Sequence, residues 1–116
     1  MTVYAVQCPR KRDKQTRRMV PMYDLGEAGA FGNIVELLSP TAKPFNTDPM
    51  VDELRDKLSD FGDDDYLICI GNPVLLALSF FVAAEANEGR VKLLQWNNVK
   101  GTYVPIDVDL DFTSIQ

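Results

Sequence analysis

Residues 66–84 read YLICIGNPVLLALSFFVAA, a run whose only polar groups are the Asn72 amide, the Ser79 hydroxyl and the Tyr66 phenol. A helix that crosses a bilayer needs about 20 apolar residues. Gly71-Asn72-Pro73 cuts this run into Tyr66–Ile70 and Val74–Ala84, each too short, so no membrane association is expected. The first piece lacks polar alternation, the pattern of a central strand covered on both faces. The second predicts a helix from Pro73 to about Asn87, capped by Asn72 and stopped at Asn87-Glu88-Gly89. That helix is apolar on every side: Val74 to Leu78 fill one turn, and Phe80, Phe81 and Val82 continue it. A surface helix needs an apolar stripe only about 100° wide, and one sheet covers one side. The remainder must meet the first helix and loops, or the same helix of a second copy. A homodimer is expected, with Leu76, Phe80 and Phe81 in the self-association face.

The rest of the chain supplies the layers around this run. Thr2–Cys8 is β-branched and aromatic and stops before Pro9, as a strand does. Residues 10–32 read as a long basic and glycine-containing loop, its part from Pro21 to Gly32 holding three glycines and leading into a strand over Asn33–Ser39. Pro40 to Thr47 reads as a connection. Asp48-Pro49 opens a helix in which Met50, Leu54, Leu58 and Phe61 share one stripe, with Val51 beside them. Glu53 and Lys57 stand four apart in the favourable order, and Gly62 ends the helix. Val91–Trp96 and Tyr103–Phe112 are strands close enough for a hairpin. The order β-β-α-β-α-β-β predicts one compact α/β domain over 1–116. Its mixed sheet has a parallel three-stranded core extended by antiparallel neighbours.

Charge and composition narrow the function. The net charge is −5 and the sequence pI about 4.6, which argues against a protein that coats nucleic acid generally. Yet Arg10–Arg18 holds six basic residues against one acid, so the total conceals a strong asymmetry. With no histidine, the commonest neutral-pH base and every imidazole triad are absent. Two cysteines alone cannot close a tetrahedral zinc shell, and Cys8 and Cys69 read as reduced core thiols. MTVYAVQCPRKR places its charges after its apolar residues, the reverse of a secretory leader.

Three further clusters are candidates for chemistry. Gly71 and Asn72 lie where a strand's carboxyl end meets a helix N-terminus, a rim that can hold a small ligand or serve an enzyme. No glycine-rich phosphate fingerprint accompanies them. Asp107, Asp109 and Asp111 alternate with apolar residues, which places their carboxylates on one strand face. They are weak metal candidates there, since same-face neighbours stand about 7 Å apart, and an acidic edge against strand pairing is the plainer reading. Arg10, Lys11, Arg12, Lys14, Arg17 and Arg18 suit phosphate contact without base stacking. Asp63-Asp64-Asp65 reads as a solvated loop.

Several segments together resemble small proteins of tailed bacteriophages, including phages of aquatic bacteria. These are Tyr4–Pro9, Ala30-Phe31-Gly32, the core DYLICIGNP (Asp65–Pro73), the small residues Ala83–Ala86, and Leu94-Gln95-Trp96. Phe80 and Phe81 are larger than the residues of that group. The resemblance covers most of the chain and implies a viral origin and residence in the host bacterial cytoplasm. It transfers no catalytic residue and no cofactor. The expected function is a non-enzymatic accessory protein working through protein–protein contacts, with a host protein as a further partner. The alternatives are a nucleic-acid-associated factor using residues 10–18, and a ligand binder or enzyme at Gly71-Asn72.

Overall fold

The computed structural model describes residues 1–8, 10–21, 25–39, 42, 45 and 47–111, with Val20 and Pro21 described by backbone alone. Its elements in chain order are β1 (Thr2–Gln7), β2 (Arg10–Arg12), β3 (Met19–Pro21), a 3₁₀ helix (Gly26–Phe31) and β4 (Asn33–Leu38). Then follow α1 (Thr47–Lys57), β5 (Tyr66–Ile68), α2 (Pro73–Ala86), β6 (Arg90–Asn97) and β7 (Thr102–Asp109). Five strands form one sheet in the order β4-β1-β5-β6-β7. The first four run parallel, and β7 returns antiparallel as the partner of β6. The mixed sheet and C-terminal hairpin follow the sequence pattern, while the parallel part takes in four strands. The additional parallel strand is β4, because the chain between Gln7 and Asn33 crosses back over the sheet and does not simply fold over on itself.

Strand alternation divides the interior into two layers. On one face Val6, Leu67 and Val91 meet Leu54, Leu58 and Phe61 and the buried Leu75, Val82 and Ala83 of α2. On the other, Val3, Ala5, Ile68, Leu94 and Tyr103 are covered by Ala28 of the 3₁₀ helix, flanked by Leu25 and Phe31. Covering on both faces is why Tyr66–Ile70 needs no polar alternation. The stretch expected as a glycine loop therefore holds an element with a function in packing: Ala28 is fully buried and Phe31 meets the Tyr66 ring edge-on at 5.4 Å.

Helix boundaries shift from the sequence reading. α1 begins at Thr47, ahead of Asp48-Pro49, because the first amides of a helix lack internal partners and tolerate proline in the first turn. It ends at Lys57; Leu58 and Phe61 continue the buried stripe from a turn before Gly62. The expected Glu53–Lys57 pair forms at 2.8 Å. α2 starts as expected, the Asn72 side chain accepting from the Val74 amide at 2.9 Å. Ser79 enters the apolar interior by donating to the Leu75 carbonyl one turn back, at 2.8 Å. The expected connection at Pro40 to Thr47 falls largely outside the described residues. The last strand stops at Asp109, short of the expected Phe112, and Asp111 has already turned to φ +50°.

Asp63-Asp64-Asp65 departs from a purely solvated loop. Asp65 accepts from the Thr2 amide and from the Gly62 amide, both at 3.0 Å, so it ties the start of β1 to the turn before β5. Asp63 accepts from Asn87 at 2.9 Å and from Arg90 at 3.1 Å, and these two contacts, Asn87 first, hold its carboxyl below the usual range.

Candidate functional site

The connections out of β1 and β5 leave in opposite directions, the first toward β4 and the second toward β6. Open α/β sheets of this winding form a crevice at such a reversal, outside the strands' carboxyl ends. Here that place is bounded by Gln7, Cys8 and the Ile70-Gly71-Asn72 turn. It is filled by the chain itself. Gln7 is 6% exposed. Its amide nitrogen donates to the carbonyls of Ser39 and Ala42 at 3.1 and 2.9 Å, and its oxygen accepts from the Asn72 amide at 3.3 Å. Gly71 has φ +121°, and a Cβ there would stand 3.0 Å from the Cβ of Gln7. Gly71 and Asn72, read from sequence as a ligand rim, thus serve a tight joint: one accepts the approach of Gln7 and the other caps α2. The sequence reading missed Gln7. Its signal was a lone amide in an otherwise apolar strand.

Two thiols lie near this joint. Burial, and next the Glu36 carboxylate, push the Cys8 thiol above its ordinary value, with Arg10 pulling the other way. Burial alone raises Cys69. Both cysteines are free and half-buried. A raised pKa means less thiolate at a given pH, and thiolate is the nucleophile. At pH 8 the folded protein should therefore react with iodoacetamide several-fold more slowly than the urea-unfolded chain, and equal rates would refute this.

The basic residues are gathered on a separate element. β2 and β3 form a two-stranded antiparallel ribbon with Arg10 opposite Pro21, Lys11 opposite Val20 and Arg12 opposite Met19. Its tip is internally bonded. The Asp13 amide donates to the Arg18 carbonyl at 2.9 Å, and the Arg17 amide to the Asp13 carbonyl at 2.8 Å. The Asp13 carboxylate accepts from the Gln15 amide at 3.0 Å and the Thr16 hydroxyl at 3.1 Å, contacts that hold its carboxyl low. Arg17 sits at φ +59°, a left-handed position for a side chain. At the ribbon base Arg10 pairs with Glu36 at 3.6 Å.

The aspartates near the C-terminus do not form a bare row. In the β6–β7 register Asp107 stands opposite Lys92 and Asp109 opposite Arg90, so cations face them across the strands. Asp111 lies past the strand end at φ +50°, its amide donating to Asp109 at 2.8 Å. Among the described residues no three His, Cys, Asp or Glu side chains converge as a metal would require. A shallow pocket of about 300 Å³ opens beside Asp63, Arg90, Lys92, Asp107 and Asp109. Arg90 there is already engaged by Asp63 and, at 3.7 Å, by Glu88.

α2 presents the fourth feature. Leu76 and Phe80 turn partly into the chain's own core, packed against the layer that holds Leu54 and Leu75. Val74 and Phe81 remain 47% and 60% exposed, with Ala77 exposed between them on the same face. Of the residues expected in the self-association face, Phe81 is thus the one that keeps a largely open side chain.

A family model described as Phage Pam3 gp32-like protein matches residues 1–110. The chain belongs to that phage family. The match takes in the ribbon, the Gln7 joint and the outer face of α2 alike. No curated protein and no solved structure matches it. Among the described residues no helix is long and apolar enough to cross a membrane.

Proposed function

We propose that this phage protein is a non-enzymatic accessory that works by protein–protein contact, beginning with a second copy of itself through the outer face of α2. The observation that carries the reading is Phe81, held open on a helix whose opposite side is already buried. Fully burying a large apolar side chain contributes roughly 1.5–3 kcal/mol. A two-fold pairing would bury Phe81 and Val74 from both partners at once. The rim of that face is polar, Glu85 being paired with Arg55 at 3.3 Å. The filled crevice supports the same reading, since Gln7 and the Gly71 turn occupy the ground where a ligand would sit.

Light scattering tests the pairing. The native chain should have twice the 13.0 kDa monomer mass, and Phe81→Asp should give the monomer with its fold intact. A native particle of single mass at every concentration would overturn the pairing. For the host contact, tagged native protein should retain from infected-cell extract a host polypeptide that Phe81→Asp does not. Identical captures from both baits would count against this face as the contact.

A further inference from the structure

We infer that the β2–β3 ribbon is a nucleic-acid arm that enters the major groove of duplex DNA and binds its phosphates without reading sequence. The inference stands on the ribbon's geometry and is independent of the α2 face. Every side chain described from Arg10 to Met19 is exposed except half-buried Asp13, and the tip bonds hold the backbone that carries Lys14, Arg17 and Arg18 in one turn before any partner arrives. Alternation along β2 places Arg10 and Arg12 on one ribbon face and Lys11 on the other, while Lys14, Arg17 and Arg18 lie in the tip. A ribbon with cations on both faces suits a channel walled by negative charge on both sides. The acidic surface of a second protein copy would engage only one face.

The dimensions agree. Two strands about 4.8 Å apart form a ribbon that fits a major groove about 12 Å wide. From Arg10 to Asp13 the strand reaches roughly 10 Å before the turn at Lys14–Thr16, beyond the groove depth of about 8.5 Å. Met19 offers no hydrogen-bond code, and among the described residues no side chain orients Arg12, Arg17 or Arg18 toward a base edge, so the contact is electrostatic and sequence-tolerant. The acidic remainder of the chain repels DNA and confines contact to the arm.

The test is fluorescence anisotropy of the full chain with a labelled mixed-sequence DNA duplex, over a salt series and with light scattering alongside. Among the described residues Arg10 alone of the six cations has an ion pair, which leaves Lys11, Arg12, Lys14, Arg17 and Arg18. Five phosphate contacts give a slope of log affinity on log salt of about −4.5, and R17Q/R18Q should flatten it by about 1.8. The same variant should weaken binding tenfold or more at low salt, leaving the thermal midpoint unmoved. An A-form RNA duplex should bind more weakly, because its major groove is too narrow for side chains. Absence of binding at low salt, or an unchanged slope in R17Q/R18Q, would overturn the arm. Equal affinity for the RNA duplex would overturn the groove placement. A fall in native particle mass in R17Q/R18Q would show that the ribbon docks on a second copy instead.

Discussion

Gly71→Ala is expected to lower the free energy of unfolding by about 4 kcal/mol, the sum of two penalties. A side chain at φ +121° costs about 1–3 kcal/mol in backbone strain. The added Cβ also meets the Gln7 Cβ at 3.0 Å and the Gln7 carbonyl oxygen at 3.3 Å, and relieving such overpacking costs about 1–3 kcal/mol more. At about 4 °C per kcal/mol for a domain of this size, the midpoint should fall by roughly 15 °C. Gly29→Ala is the control. A Cβ there meets nothing within 4 Å, so the change should be neutral or slightly stabilising. A Gly71→Ala protein that melts within a few degrees of the native chain would show that the Gln7–Gly71 approach is looser than it stands here.

Gln7→Leu should cost about 3 kcal/mol although it preserves volume and adds apolar surface. The leucine leaves the Asn72 amide without its acceptor and removes the donor shared by the Ser39 and Ala42 carbonyls. A partly buried polar group left unpaired costs about 1–3 kcal/mol. The Ser39 carbonyl keeps the Ala42 amide at 3.0 Å, so the Asn72 amide and the Ala42 carbonyl carry the cost, and water re-entering at the rim recovers part of it. Thermal or urea unfolding reads the effect directly. A Gln7→Leu protein as stable as the native one would mean that the crevice tolerates solvent, and would reopen it as a place for a ligand.

What the sequence reveals here depends on how local the physics is. α2 was legible because its start is set by neighbours in the chain, Asn72 and Pro73, and its apolar run leaves no other element possible. β5 was legible for the same reason: Tyr66–Ile70 shows no polar alternation and must be covered twice, although the strand itself takes only Tyr66–Ile68. The 3₁₀ helix was not, because Ala28 and Phe31 are held by Val3, Tyr66 and Tyr103, residues far away in sequence, and glycines on either side resemble a loop. β4 was legible as a strand, but its parallel direction is set by how the chain recrosses the sheet. At the candidate sites the sequence identified the basic cluster, and the pairing of Arg10–Arg12 with Met19–Pro21 turned it into a ribbon. It placed Leu76, Phe80 and Phe81 in one face because an all-apolar helix has no pattern to divide buried from exposed. Only α1 and the sheet make that division. Asp107 and Asp109 read as an unopposed row because the cations across from them, Lys92 and Arg90, are known only from the register.

The position of β1 has a consequence for how the chain is made. Although it precedes the other four strands of its sheet in the chain, β1 is an interior strand, flanked by β4 on one side and β5 on the other. While the nascent polypeptide grows on the ribosome, the edge that will receive Tyr66–Ile68 stays unpaired until all of α1 has been synthesised. Open strand edges of that kind recruit neighbouring chains. Translation speed through residues 39–65 therefore sets how long each new molecule carries an adhesive seam.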